Sequence, residues 1–114
     1  MNIKETITFD DFQKLDIRVG EIIDAENFDK AKKAAYKLTI DFGEGIGIKK
    51  SSAQITSHYT EKDLIGKQIL AVVNFPEKNI AGFKSEVLVL GTYSEGGVVL
   101  VVPDKRVKNG DILG

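Results

Sequence analysis

Apolar residues fill two segments in the second half of the chain almost without interruption, residues 69–75 and 87–90. Runs that are apolar at nearly every position and rich in β-branched residues are typical of strands covered on both faces. Between them lies a polar loop that contains Pro76 and Gly82, two residues that favour turns. The pattern predicts two strands inside a small, largely closed sheet, joined by a loop that presents polar groups to solvent.

The first half of the chain alternates between apolar and polar residues, which is typical of half-buried strands. The alternation begins at Leu15, is most regular over residues 34–43, and resumes over residues 46–51 after a turn with three glycines. A further apolar strand is expected over residues 98–102, where Pro103 ends it.

Two short helices are predicted from their first residues. Thr8 and Thr60 can each cap a helix, because Asp11 and Asp63 follow three positions later in the spacing of a capping box. The resulting order, three strands, a helix and two strands, predicts a small β-barrel and is that of an OB-fold, a five-stranded Greek-key barrel. We therefore expect one all-β domain over residues 1–114, with short helices and extra C-terminal strands.

The composition argues against several classes of protein, including membrane-spanning and disulfide-bonded ones. The chain is 42% hydrophobic and 29% charged, which is ordinary for a globular protein. No apolar run approaches the roughly 18 residues that span a bilayer, and the first residues lack the apolar core of a signal peptide. Without cysteine there is no disulfide and no thiolate metal site. We expect a cytoplasmic protein with no membrane insertion.

The charge is unevenly distributed. The net charge of −1 argues against an obligate, generic nucleic-acid binder. Residues 1–28 hold three basic and seven acidic side chains, whereas residues 29–54 hold six basic and three acidic ones. This basic stretch forms either a local binding patch or an ordinary solvated face.

Catalytic chemistry has little support. His58 is the single histidine, and no Ser/His/Asp or Cys/His arrangement is available. The glycines at positions 43, 45 and 47 lead into a predicted strand rather than a helix, so they indicate a hairpin turn instead of a phosphate-binding loop. The sequence predicts a protein that is not an enzyme and has neither a metal site nor a cofactor.

Binding is better supported. If the first three strands form a meander, Ile46 and Ile48 point inwards. The residues expected on the outward face are then Arg18, Lys37, Thr39, Lys49 and Ser51. OB-folds use the face of their second and third strands for oligonucleotides, and lysines beside hydroxyl residues suit contacts to phosphates. The alternative is that these are the solvated charges that any alternating strand carries.

Four aromatic residues are expected in two different environments. Tyr36, Phe42 and Phe75 continue the inward faces of their strands and are expected in the core. Phe83 lies in the polar loop and is expected to be accessible. It could stack on a base or dock an apolar peptide side chain, or it could anchor the loop on the barrel.

Three segments resemble a known family. Residues 74–91 read Asn-Phe-Pro-Glu-Lys-Asn-Ile-Ala-Gly-Phe-Lys-Ser-Glu-Val-Leu-Val-Leu-Gly, and residues 9–20 and 45–55 agree in the same order. Together they resemble the tRNA-binding domain family, the module appended to some methionyl- and phenylalanyl-tRNA synthetases. Within it the chain is most similar to the stand-alone CsaA proteins, which are described as chaperones linked to protein export.

The resemblance implies an OB-fold and a set of ligand contacts. The expected tRNA-binding residues are Arg18, Lys37, Lys49, Lys50, Ser51, Ser52, Asn74, Lys78, Lys84 and Ser85, with Phe83 as the peptide-binding residue. CsaA proteins are described as homodimers that bind unfolded or export-destined polypeptides. We expect such a chaperone, with tRNA as a further ligand and a two-fold interface that buries Phe9, Phe12 and residues 98–102. The alternative is a tRNA-binding accessory protein without a chaperone role.

Overall fold

Nine strands and two short helices follow one another over residues 2–114, the part of the chain that this computed structural model describes. In chain order they are α1 (Phe9–Gln13), β1 (Ile17–Asn27), β2 (Tyr36–Asp41), β3 (Ile48–Ala53), α2 (Glu61–Leu64), β4 (Gln68–Val72), β5 (Lys78–Ile80), β6 (Phe83–Ser85), β7 (Leu88–Val89), β8 (Gly91–Ser94) and β9 (Gly97–Leu100). One sheet has the order β3-β2-β1-β4-β7, and β5–β6 and β8–β9 form two separate hairpins. The predicted all-β class, with short helices and extra C-terminal strands, is confirmed.

The five-stranded sheet curls until its two edge strands approach each other. At the meeting point the Glu86 N–H donates to the Lys50 carbonyl at 2.7 Å, just before β7 begins. Side chains of β2 lie directly over β1 at Gly20: a Cβ there would lie 2.5 Å from the Ile40 side chain, so this position requires glycine. The result is a nearly closed antiparallel barrel with the strand order predicted for an OB-fold.

Apolar residues are buried on both faces of β4. Ile69 and Ala71 point into the barrel, whereas Leu70 and Val72 belong to a second cluster outside it. The second cluster also contains Ile17, Val19, Leu90 and Val101. The two-sided burial predicted for this strand is therefore confirmed. The prediction that Phe75 lies in the core is wrong, because β4 ends at Val72 and Phe75 is 46% exposed.

Both helices begin as predicted. The Thr60 hydroxyl accepts the Asp63 N–H at 3.2 Å, and the Asp63 carboxylate accepts the Thr60 N–H at 2.9 Å. Thr8 and Asp11 form the same reciprocal pair at α1. Leu64, at the end of α2, is fully buried in the barrel, so this cap holds a core residue in place.

The register of β3 differs from the prediction. Ser51 is fully buried and its hydroxyl donates to the Val87 carbonyl at 3.0 Å, whereas Ile48 is 57% exposed. The prediction that Ile48 points inwards and Ser51 outwards is therefore wrong. The physical reason is that the closing edge of the barrel supplies a hydrogen-bond acceptor for the hydroxyl, which removes the cost of burying it.

Candidate functional site

The segment predicted as a polar loop is a tight hairpin, β5–β6. Ala81 and Gly82 form its turn with positive φ angles of 49° and 85°. The Ser85 hydroxyl accepts the Ser52 N–H at 3.0 Å, which fixes the second strand of the hairpin to β3. The hairpin is thereby held in one orientation at the edge of the barrel, and its residues help to line two grooves, one basic and one apolar.

The tip of the hairpin is anchored by an aromatic pair. Phe83 packs edge-to-face against the buried Phe28, with the ring centroids 5.4 Å apart. The Lys37 ammonium lies 5.6 Å from the centroid of Phe28 and 5.8 Å from that of Phe83. Phe83 is half-buried, which favours its role as an anchor of the loop on the barrel over a role as a ligand contact. Only part of its ring is accessible to a ligand.

On one side of the hairpin lies a basic groove of about 660 Å³. It runs between residues 30–35 and the first strand of the hairpin. The polar residues that line it are Lys30, Lys32, Lys33, Lys78, Ser52, Gln54 and Asn79, with no carboxylate among the lining residues. Within residues 2–114, none of these four lysines lies within 4.0 Å of a carboxylate, so their charges are available to an anionic ligand.

An apolar cradle of about 360 Å³ adjoins this groove. Its apolar lining consists of Phe75, Pro76, Ile80, Val87 and Leu88. Phe75 and Leu88 are 46% and 49% exposed, and both project from segments next to the closing edge of the barrel. A concave surface with accessible apolar side chains can bury part of an apolar ligand and release the water from both.

Four of the predicted cationic contacts are already paired with acids. Lys37 pairs with Glu26, Lys49 with Glu86, Lys84 with Glu77 and Arg18 with Asp16, at 4.0, 3.9, 3.7 and 2.6 Å. The hydrogen bond that the Arg18 guanidinium donates to the Asp16 carboxylate raises the pKa of Arg18 above its ordinary value. Lys50 and Lys78 are the predicted lysines for which no ion pair is found within residues 2–114, and both are exposed.

The single outward face expected for Arg18, Lys37 and Lys49 is not formed. Lys49 pairs across the sheet with the fully buried Ile40, so it shares the inward register of β3. Arg18 lines a separate groove of about 650 Å³ beside the turn at Gly43. The misassigned register of β3 and the two-sided burial of β1 are the reasons for both errors.

The predicted polar contacts are largely engaged within the chain. The Asn74 side chain accepts the Asp16 N–H at 2.9 Å and donates to the Lys14 carbonyl at 2.7 Å, which ties α1 to the end of β4. Ser51 has no exposed surface, so its assignment as a ligand contact is wrong. Ser52, half-buried, remains in contact with both grooves.

Two groups of residues were missed by the sequence reasoning. Lys30, Lys32 and Lys33 are absent from the predicted contacts, although they lie between β1 and β2 and supply half of the basic residues in the positively charged stretch at 29–54. The apolar cradle could not be predicted, because Phe75 and Leu88 continue apolar strand patterns and only the chain path shows that they are exposed.

Neither a metal cluster nor a membrane-spanning helix was found in the part of the chain that the structure describes. Within residues 2–114 no three His, Cys, Asp or Glu side chains are grouped so that they could hold a metal ion. No helix in the same range is long and apolar enough to cross a bilayer.

Comparison with known proteins identifies the family. The family model of the tRNA binding domain matches residues 17–112. The CsaA chaperone protein from Picrophilus torridus is 54% identical and has a TM-score of 0.92, over 96% of this chain and 100% of that one. The chaperone CsaA from Bacillus anthracis str. Ames is 51% identical with a TM-score of 0.90, at the same coverage.

Longer enzymes share the domain. The methionine–tRNA ligase of Archaeoglobus fulgidus is 36% identical over 110 residues, which make up 96% of this chain but 16% of the ligase. The chain belongs to the tRNA-binding domain family. Its similarity to the CsaA proteins, predicted from three sequence segments, is confirmed over nearly the whole chain.

Proposed function

We propose that this protein is a homodimeric chaperone of the CsaA type. It binds unfolded polypeptides, including export-destined ones, at the apolar cradle, and it binds tRNA at the basic groove. It is a binding module without catalytic activity, and it acts in the cytoplasm. The observation that carries this proposal is the pair of adjoining grooves on the β5–β6 hairpin, one apolar and one basic.

The cradle supports polypeptide binding. Phe75, Ile80 and Leu88 offer apolar surface that the folded chain leaves accessible, next to a hairpin fixed by hydrogen bonds. Burying one Leu side chain in such a groove is worth about 1.5–3 kcal/mol. Unfolded polypeptides carry such side chains, whereas folded proteins keep most of them inside. The cradle thus suits a ligand defined by exposed apolar residues rather than by a sequence.

The basic groove supports tRNA binding. Lys30, Lys32, Lys33 and Lys78 present four charges without a competing carboxylate in the groove. Lysine contacts to phosphates position a nucleic-acid backbone without reading its bases. Two of the structural relatives carry the name chaperone, while the family model carries the name tRNA binding domain, and the two grooves offer one surface for each ligand.

Dimerisation would cover a second apolar area. Phe9 is 68% exposed, and Val99 and Val102 are 39% and 46% exposed near the C-terminal hairpin. Exposed apolar area of this kind promotes aggregation of a monomer, and homodimers commonly bury such area in a two-fold interface. The sequence prediction that α1 and residues 98–102 meet in a dimer remains our proposal.

The decisive experiment follows the aggregation of denatured citrate synthase diluted into buffer, measured by light scattering. We expect the wild-type protein to suppress aggregation. Leu88→Ser should need roughly tenfold more protein for the same effect, because it removes an apolar contact worth about 1.5 kcal/mol. Ile65→Ser is the matched control, since Ile65 is 52% exposed but lines neither the groove nor the cradle.

Equal activity of the Leu88→Ser and Ile65→Ser variants would remove the cradle from the chaperone site. No suppression by the wild-type protein, together with a high ratio of absorbance at 260 to 280 nm after purification from cells, would favour the alternative. The protein would then be a tRNA-binding accessory factor, as the unpaired lysines of the basic groove alone would predict.

A further inference from the structure

The basic groove and the apolar cradle share a wall. Ser52, Lys78 and Ile80 line both of them. Lys78 and Ile80 are two positions apart on β5, so their side chains leave the strand on the same side. The two sites are therefore adjoining halves of one surface, and these three residues belong to both halves.

A phosphate that paired with Lys78 would lie on the side of β5 that also carries Ile80. The Lys78 side chain is exposed and forms no ion pair with a carboxylate of residues 2–114, so its ammonium is free to join the other three lysines around a polyanion. Such a phosphate keeps much of its hydration, because it is bound at an open surface. Hydrated anionic groups would then border the apolar half of the surface.

An apolar side chain in the cradle requires an environment from which water has been removed. Its favourable free energy comes from removing water from Ile80, Phe75 and Leu88. If a phosphate stood at Lys78, closing this contact would strip water from a charged group, and that desolvation is costly. The same wall therefore cannot serve a phosphate backbone and an apolar side chain at the same time.

We propose that RNA and unfolded polypeptide exclude each other on this surface, so that RNA phosphates in the basic groove release a polypeptide from the cradle. This inference rests on the proposed function and adds its regulation. Because coupling between two ligands is reciprocal, an unfolded client must displace RNA to the same extent. The protein would then hold a polypeptide where RNA is scarce and release it where RNA is abundant.

The test is a competition experiment with fluorescein-labelled, reduced and carboxymethylated α-lactalbumin, which stays unfolded. Its apparent Kd is measured by fluorescence anisotropy at increasing concentrations of unlabelled total tRNA, and separately of the uridine hexanucleotide. The hexanucleotide is included because it is too small to block a distant site by its bulk. Direct binding of each RNA is measured with a labelled sample.

Mutual exclusion predicts an apparent Kd that rises in proportion to RNA concentration without a plateau. At an RNA concentration of about ten times its own Kd, the rise should be about tenfold. Lys32→Ala/Lys33→Ala should shift the half-displacement point to higher RNA concentration. Lys105→Ala/Lys108→Ala removes two exposed lysines that lie outside both halves of the surface and should leave that point unchanged.

Each contrary result has a separate meaning. If the client binds and both RNAs bind, but the apparent Kd of the client is constant or reaches a plateau, the inference is wrong and the proposed function stands. If the client does not bind in the absence of RNA, the proposed function is wrong and the inference falls with it. If neither RNA binds, or if the lysine pair at 32 and 33 has no effect on displacement, the basic groove is not the RNA site and the inference is wrong.

Discussion

A basic side chain is fully available to an anionic ligand only where no acidic side chain is paired with it. Lys49 is 3.9 Å from the Glu86 carboxylate, whereas its neighbour Lys50 has no ion pair with a carboxylate of residues 2–114. A paired surface lysine gains little stability from its partner, but it presents a dipole rather than a full charge to an incoming phosphate. At the scale of single residues, charge counts from the sequence therefore overstate the basic character of the surface.

Ser51 and Lys50 give a first matched prediction. Ser51→Ala leaves the Val87 carbonyl without its 3.0 Å hydroxyl donor in a buried position. We expect the free energy of unfolding to fall by about 1–3 kcal/mol, with tRNA affinity unchanged. Lys50→Ala should leave stability within about 0.5 kcal/mol and weaken tRNA binding. Urea denaturation and a filter-binding assay measure the two quantities, and a stable Ser51→Ala variant with reduced tRNA affinity would contradict the register of β3.

Phe83 gives a second prediction at the same scale. Its ring packs edge-to-face on Phe28, so Phe83→Ala removes an aromatic pair worth about 0.5–1.5 kcal/mol together with its half-buried area. We expect a clearly lower Tm by differential scanning calorimetry and nearly unchanged suppression of client aggregation. If the variant kept the wild-type Tm but no longer suppressed client aggregation, Phe83 would be a peptide-binding residue after all.

At the scale of elements, the sequence predicts where the two helices begin. The capping residues Thr8 and Thr60 begin helices as expected, because a cap is a local interaction within four residues. Periodicity likewise predicted a small β-barrel, whereas the OB-fold in particular followed from the family resemblance. The faces of β3 were not predicted correctly, since the decisive contact of Ser51 is with Val87, 36 positions away. The cradle escaped prediction for the same reason: exposure of Phe75 depends on where the chain leaves β4.

The helix caps predict a pH dependence. The backbone N–H of Thr60 lowers the pKa of the Asp63 carboxyl, and the backbone N–H of Thr8 lowers that of Asp11. A carboxyl with a lower pKa in the folded state stabilises the protein above its ordinary pKa of about 3.9, and this contribution is lost as the pH falls through the lowered value. Stability should therefore decline on acidification below about pH 4.

Asp11→Asn/Asp63→Asn should show a shallower acid decline than the wild-type protein. The measurement is the urea midpoint between about pH 5 and pH 2. Asp104→Asn is the control, because Asp104 is exposed and makes no helix cap. Identical acid profiles for all three proteins would show that the caps contribute nothing to the pH dependence.

At the scale of the whole molecule, two apolar surfaces need different partners. The cradle lies at the closing edge of the barrel, whereas Phe9 and Val99 lie on α1 and the C-terminal hairpin. If one is a client site and the other a dimer interface, the two should respond to mutation independently, because distant sites without shared contacts are nearly additive.

We accordingly predict a dimer of about 25 kDa, twice the 12.5 kDa chain, in light scattering at micromolar concentration. Val99→Asp should shift it to the monomer, because a charge in an apolar interface is costly to desolvate. Leu88→Asp, in the cradle, should remain dimeric. A wild-type monomer, or dissociation caused by Leu88→Asp alone, would contradict this division of the surface.

The central claim, that the β5–β6 hairpin and its closing edge form the client site, is tested most directly by hydrogen–deuterium exchange. Amide exchange is followed by mass spectrometry with and without reduced, carboxymethylated α-lactalbumin. The account predicts slower exchange over residues 75–88, where the cradle and its hairpin lie, and little change over residues 36–47. Protection confined to residues 91–102, or no protection of residues 75–88 at saturating client, would contradict it.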